Sequence, residues 1–145
     1  MKNIDPKLPF AIICDLDGTL ALFKGSPYDR DYSKDDLNGP VAFVLRELPP
    51  YATVLFVSGR KEKSREITQR WIYTQAMVNK LFFTYKLFMR KDGDNREDTI
   101  VKREIYNREI KNKYNVIFVM DDRNRVVAMW RKLGLTCFQV AEGDF

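Results

Sequence analysis

Five short apolar runs, at residues 9–14, 52–57, 80–88, 116–120 and 136–140, are rich in β-branched and aromatic side chains and bounded by polar or turn-forming residues. Runs of that length and composition predict strands. Between them the apolar positions change period. Val41, Leu45 and Leu48 share a face at i, i+4 and i+7, and Pro49-Pro50 stops that helix. Ile67, Trp71 and Thr74 define a second helical face and Val101 and Ile105 a third. Val126, Trp130 and Leu133 form a fourth, closed by Gly134. This alternation predicts right-handed βαβ units and an α/β fold whose parallel sheet is covered on both faces. In such sheets the ligand site lies beyond the carboxyl ends of the strands.

Composition narrows the class. A chain of 145 residues that is 45% hydrophobic is expected to form a single packed domain, burying roughly two-thirds of its unfolded surface. No apolar stretch approaches the roughly 20 residues of a membrane span, and no signal peptide is expected, so a cytoplasmic location is the expectation. Cys14 and Cys137 each sit inside a strand-like run and read as buried free thiols. The chain has no histidine, which excludes Ser-His-Asp and Cys-His mechanisms and makes zinc a poor fit.

The net charge of +5 is unevenly placed: residues 60–132 carry 19 basic and 10 acidic side chains, whereas residues 1–59 carry 6 and 8. A polyanion suits that asymmetry. Solvated helix faces suit it equally well, and residues 97–113 mix both signs as such a face does. The polar loop at residues 91–97 is the candidate mobile segment near the site.

The strand-end rule gathers the candidate chemistry. The first strand ends in Asp15-Leu16-Asp17-Gly18-Thr19, the second in Ser58-Gly59-Arg60 and the fourth in Asp121-Asp122-Arg123. Two carboxylates at a strand-to-turn transition suit a hard cation such as Mg²⁺, although they fail the EF-hand spacing. Lys102 stands one turn after Asp98 on the helix that follows the third strand. Each feature also has a plain structural explanation: an Asx turn at Asp15–Asp17, a tight turn at Ser58-Gly59, helix capping by Asp121 or Asp122, and an i,i+4 ion pair between Asp98 and Lys102. Their coincidence at one sheet edge, in one order, is harder to assign to chance.

That order resembles the haloacid dehalogenase superfamily of phosphotransferases. Its four signature motifs correspond here to Asp15 through Thr19, to Ser58, to Lys102 and to the pair Asp121-Asp122. A closer resemblance is to the phosphatase domain of phage polynucleotide kinase/3′-phosphatases, carried by Gly25-Ser26-Pro27-Tyr28-Asp29, Val57-Ser58-Gly59-Arg60, Arg96-Glu97-Asp98, Asp121-Asp122-Arg123, Met129-Trp130-Arg131 and Gly143-Asp144-Phe145. The resemblance implies a Rossmann-like sheet of about five strands with a minimal cap, and one phosphatase domain over residues 1–145. It implies an Mg²⁺-dependent phosphatase that removes 3′-terminal phosphate from DNA or RNA during end repair. A homo-oligomer and a separate kinase or ligase partner are compatible with it, as is the host cytoplasm for a phage-encoded protein. No phosphate-binding kinase loop is present, so no kinase domain is expected.

Roles follow from the same resemblance. Asp15 becomes the nucleophile that forms an aspartyl-phosphate. Asp17 becomes the general acid and base, a task that calls for a raised pKa from partial burial and a neighbouring carboxylate. Asp15, the Asp17 carbonyl and Asp121 or Asp122 hold the metal. Ser58 and Lys102 hold phosphoryl oxygens, with Thr19 supporting Asp15 and Asp98 orienting Lys102. Arg60 and Arg123 are the candidates for gripping the substrate backbone. The resembling enzymes place an arginine in the loop corresponding to residues 25–27, where this chain has Ser26 and one residue fewer. Lys24 and Arg30 are the nearby cations, and lysine lacks arginine's fork. Two other readings use the same residues: a phosphatase of a small phosphorylated metabolite or mononucleotide, and a non-catalytic nucleic-acid-binding module.

Overall fold

The computed structural model describes residues 3–145. Strand β1 (Phe10–Cys14) leads into a two-stranded antiparallel pair, β2 (Ala21–Leu22) and β3 (Asp36–Leu37), followed by helix α1 (Gly39–Arg46). Strand β4 (Thr53–Lys61), helix α2 (Arg65–Asn79), strand β5 (Thr84–Arg90) and helix α3 (Asp98–Ile105) come next. Strand β6 (Asn115–Asp121), helix α4 (Asn124–Lys132) and strand β7 (Cys137–Gln139) complete the chain. The main sheet is parallel, in the order β5-β4-β1-β6-β7. It is the five-stranded α/β sheet that the hydropathy pattern predicts.

Burial of β1 on both faces explains its unbroken apolar run. Ile12 and Cys14 belong to one core cluster with Val41, Leu45, Trp71 and Ile72 of α1 and α2. Ala11 and Ile13 belong to the other, with Val101, Ile105, Val126 and Trp130 of α3 and α4. Each fully buried side chain of this kind contributes about 1.5–3 kcal/mol. The chain winds outward from β1 through β4 and β5, then returns to the opposite flank of β1 with β6 and β7. Loops leaving the strand ends diverge at such a reversal and open a crevice there. The short pair β2–β3 and the segment between its strands form the minimal cap, tied to α2 by a hydrogen bond from Trp71 Nε1 to the Asp35 carbonyl at 2.9 Å.

Three strand boundaries differ from the hydropathy reading by more than one residue. Strand β5 begins at Thr84, because Lys80 caps α2 in the left-handed conformation (φ 53°) and the chain must first turn. Strand β4 runs on to Lys61, with a register shift between Ser58 and Lys61, so Ser58-Gly59-Arg60 lies in an irregular strand end rather than in a tight turn after it. Strand β5 likewise continues to Arg90. Both extensions lengthen the edge from which the site is built. No helix among the described residues is long and apolar enough to cross a membrane.

Candidate active site

At the carboxyl end of β1 the backbone turns sharply, and Gly18 makes the turn with φ +85°. A Cβ at Gly18 would collide with the Asp122 carboxylate, so glycine is required for both its backbone angle and its close approach. The turn brings β1 against the end of β6. Oxygens of Asp15, Asp121 and Asp122, all buried, lie within 4.8 Å of one another.

Lys102 neutralises part of that cluster. Its Nζ is 2.7 Å from Asp15 Oδ1 and 2.8 Å from Asp121 Oδ2, and all three side chains are almost fully buried. Burial works against the Lys102 ammonium, but Asp121 and Asp15 outweigh it and hold its pKa above the ordinary value. Burial pushes the Asp15 carboxyl well up; Lys102 pulls it down, while Asp121, Asp122 and Asp17 push it further up. Burial and then Asp121 raise Asp122 as well. Three crowded carboxylates served by one ammonium repel one another, and hard oxygen donors in that arrangement fit a divalent cation. Thr19 donates from Oγ1 to Asp15 Oδ2 at 3.2 Å. Trp130 Nε1 donates to Asp121 Oδ2 at 3.1 Å, fixing that carboxylate. Ser58, fully buried, accepts at Oγ from the Arg60 amide at 3.1 Å.

Asp17 faces a different environment. Arg60 Nη2 donates to its Oδ1 at 2.6 Å, Arg60 Nε at 3.0 Å, and Arg30 Nη2 to the same oxygen at 2.5 Å. Both arginines also reach Asp35: Arg60 Nη2 and Arg30 Nη2 each lie 2.8 Å from Oδ2, and Arg30 Nε 2.8 Å from Oδ1. Tyr32 lies beneath both guanidinium groups, at 4.0 Å from Arg60 and 4.7 Å from Arg30. Burial works to raise the Asp17 pKa, but Arg60 and then Arg30 outweigh it and hold the carboxyl below its ordinary value. The raised value expected for a general acid is therefore not what this arrangement produces. The Asp17 carboxylate takes no part in the three-carboxylate cluster.

Two residues stand elsewhere than the sequence places them. Arg60, expected on a substrate backbone, has a side chain with no exposed surface, engaged by Asp17, Asp35 and Thr68. It positions Asp17 instead. Asp98, expected to orient Lys102, bonds to Arg90 and, through Oδ2 at 2.7 Å, to Arg123 Nη1. Lys102 turns inward from α3 to the carboxylates of β1 and β6, where the Coulomb gain is largest in a water-poor setting. Residues 91–97, expected to be mobile, are braced: Lys61 Nζ donates to Asn95 Oδ1 at 2.9 Å, the Lys63 amide to Asp92 Oδ1 at 3.0 Å, and Arg96 forks onto Glu104 at 2.7 and 2.8 Å.

Asp35 and Arg90 are site residues that sequence reasoning missed. Nothing local distinguishes Asp35 from its neighbour Asp36, which is exposed. Arg90 has a signal, since it ends the third major strand at the same edge as Ser58 and Asp121, but the apolar run stops before it. Arg30, one of two cations near the shortened loop, is the one that reaches the site. Asp15, Asp17, Arg90, Lys102, Asp121 and Asp122 line a cavity of about 690 Å³, to whose wall Lys61, Lys63, Arg123 and Arg125 add positive charge.

The family model for the phosphatase domain of polynucleotide kinase PNKP, within the haloacid dehalogenase class, matches residues 9–145. The chain belongs to this family. A protein of Autographa californica nuclear polyhedrosis virus, named as a bifunctional polynucleotide kinase/RNA ligase, is 38% identical in an alignment 143 residues long that covers 94% of this chain and 20% of that protein. A solved structure of the Pnkp1/Rnl/Hen1 RNA repair complex contains a chain that matches with a TM-score of 0.87 at 44% identity, over 99% of this chain and 46% of that one. A second structure of a Pnkp1/Rnl/Hen1 complex matches with the same TM-score at 45% identity, over 97% of this chain and 49% of that one. This phosphatase-family domain therefore spans one-fifth of the viral relative and just under half of the matched chains in the two complexes.

Proposed function

We propose that the protein is a metal-dependent polynucleotide 3′-phosphatase acting in nucleic-acid end repair, with RNA ends as its favoured substrate. The observation that carries the chemistry is Asp15, a buried carboxylate facing an open cavity, gripped by Lys102 and Thr19 and crowded by two further carboxylates. The names of two relatives, one a polynucleotide kinase/RNA ligase and the other part of an RNA repair complex, favour RNA over a small metabolite.

Asp15, Asp121 and Asp122 would hold Mg²⁺, which screens the repulsion between a carboxylate nucleophile and a phosphate dianion. An oxygen of Asp15 attacks phosphorus as the bond to the sugar 3′ oxygen breaks, giving an aspartyl-phosphate and a free 3′ hydroxyl. Asp17 supplies the proton to the leaving oxygen. Water then attacks the aspartyl-phosphate, Asp17 removes its proton, and inorganic phosphate and the Asp15 carboxylate are restored. Arg30 and Arg60 favour the ionised Asp17 that acts as base in the second step, whereas proton donation in the first step draws on its acid form. Ser58 and Lys102 bind the transferred phosphoryl group, and the cavity rim contacts the strand.

A kinase and a ligase, on the same chain or on partners, are the natural companions of this activity, because a freed 3′ hydroxyl is a substrate for sealing. Phosphate release from 3′-phosphorylated RNA, 3′-phosphorylated DNA, 3′-mononucleotides and sugar phosphates, each with Mg²⁺, tests the reading. The oligonucleotides should be preferred; turnover of sugar phosphates alone defeats it.

A further inference from the structure

Two aromatic rings stand at the mouth of the cavity with large exposed faces. Tyr28 is 66% exposed and Phe145 49% exposed, and both line the same cavity as Asp15. Arg123 lies between them. Its guanidinium carbon is 4.4 Å from the centroid of the Phe145 ring, and its Nη1 is anchored on Asp98. Burial works against the Arg123 charge, but Asp98 and the neighbouring Tyr28 hydroxyl outweigh it. Phe145 is not a frayed ring. The segment that carries it is clipped to the β6–α4 turn by the Asn124 amide donating to the Gly143 carbonyl at 2.8 Å and the Gly143 amide donating to Asn124 Oδ1 at 3.3 Å. A Cβ at Gly143 would collide with the Asp122 carbonyl, so the close approach requires glycine. The backbone thus holds an apolar ring half exposed in the wall of the cavity that the carboxylate cluster also lines, instead of tucking it into the core.

We infer that Phe145 and Tyr28, with Arg123 between them, form a stacking subsite for the nucleobase of the terminal nucleotide. The inference rests on the polynucleotide reading and specifies how that site holds its substrate. Three features select the ligand. Asp15, Tyr28, Arg123 and Phe145 line one cavity, so a phosphate seated at Asp15 shares that space with the two rings that would receive the base. Flat aromatic and guanidinium faces match the π-face of a base and carry no hydrogen-bond code, so every base is accepted. The positive charge of Arg123 suits the adjoining phosphodiester, which a neutral aromatic metabolite lacks.

Wild-type protein and variants are assayed with Mg²⁺ on two 3′-phosphorylated oligonucleotides that differ only in whether the terminal residue bears a base or is abasic. The base-bearing end should be favoured in kcat/KM by roughly tenfold, the scale of one stacking contact, with the four bases alike within a few-fold. Phe145→Leu, which keeps bulk but removes the π-face, should bring that ratio towards one, and Tyr28→Leu should lower it. Phe145→Trp and Tyr28→Phe should preserve it. Equal use of both ends by the wild type, or a ratio unchanged in Phe145→Leu, overturns the subsite and leaves the polynucleotide reading standing. Release from neither oligonucleotide, alongside hydrolysis of a small phosphate ester, overturns both.

Discussion

Lys102 Nζ and Asp15 Oδ1 are separated by 87 positions in the chain and by 2.7 Å in the fold. Both side chains are almost fully buried, and Asp121 Oδ2 closes a triangle with them, 2.8 Å from the same nitrogen. A buried ion pair adds little net stability after desolvation, yet removing one partner strands a buried charge. The pair is therefore better understood as preorganisation than as a source of stability. An ammonium already aimed at the nucleophile need not reorganise when a phosphoryl group arrives between them.

The nucleophile gives the first test. Asp15→Asn keeps the shape and removes the attacking charge, so phosphate release should fall by on the order of 10⁴-fold or more, the scale seen when a nucleophile is removed. Circular dichroism should match the wild type. Substantial turnover by the folded variant contradicts the assignment of Asp15.

Arg60 gives a stability test that a substrate-binding arginine fails. It is fully buried between Asp17 and Asp35, the latter itself 2% exposed. Arg60→Ala leaves a buried carboxylate short of a partner and should cost about 3–5 kcal/mol by urea unfolding. Arg60→Lys should recover little of it, because a single ammonium cannot replace the fork shared by two carboxylates. An Arg60→Ala protein of wild-type stability with weakened substrate binding would return Arg60 to the substrate side.

Metal dependence follows from the three crowded carboxylates. EDTA should abolish phosphate release and Mg²⁺ restore it. Ca²⁺ should restore little, since its larger and looser coordination can draw both Asp15 oxygens to the ion and misalign the attack. Full activity in chelator would contradict the proposed site.

Salt distinguishes a polymer from a small ester. With two or three backbone phosphates held at the basic rim, kcat/KM on an oligonucleotide should fall roughly tenfold between 50 and 200 mM salt through counterion release. An aryl phosphate has no backbone to hold and should fall much less. Equal salt dependence for the two substrates favours a small-molecule phosphatase.

The alternation of strands and helices, the α/β class and the convergence of Asp15, Asp121 and Asp122 on one sheet edge were all legible in the chain. Hydrophobic period is a local property, and a parallel sheet delivers its strand ends to a common edge whatever the loops do. Lys102 was legible in kind, as a cation on the helix after the third major strand, but its true partners were not. The i,i+4 spacing points to Asp98, whereas the fold turns Lys102 inward to the acidic edge and gives Asp98 to Arg90 and Arg123. Tertiary structure alone decided that Arg60 serves Asp17, that Arg30 joins it, that Asp35 rather than Asp36 is buried between them, and that the two arginines pull the Asp17 pKa down against burial. The reason is physical. Burial patterns are written in nearest-neighbour periodicity, but the pairing of charges depends on which side chains share a water-poor space, and that is settled only when segments distant in the chain are packed together.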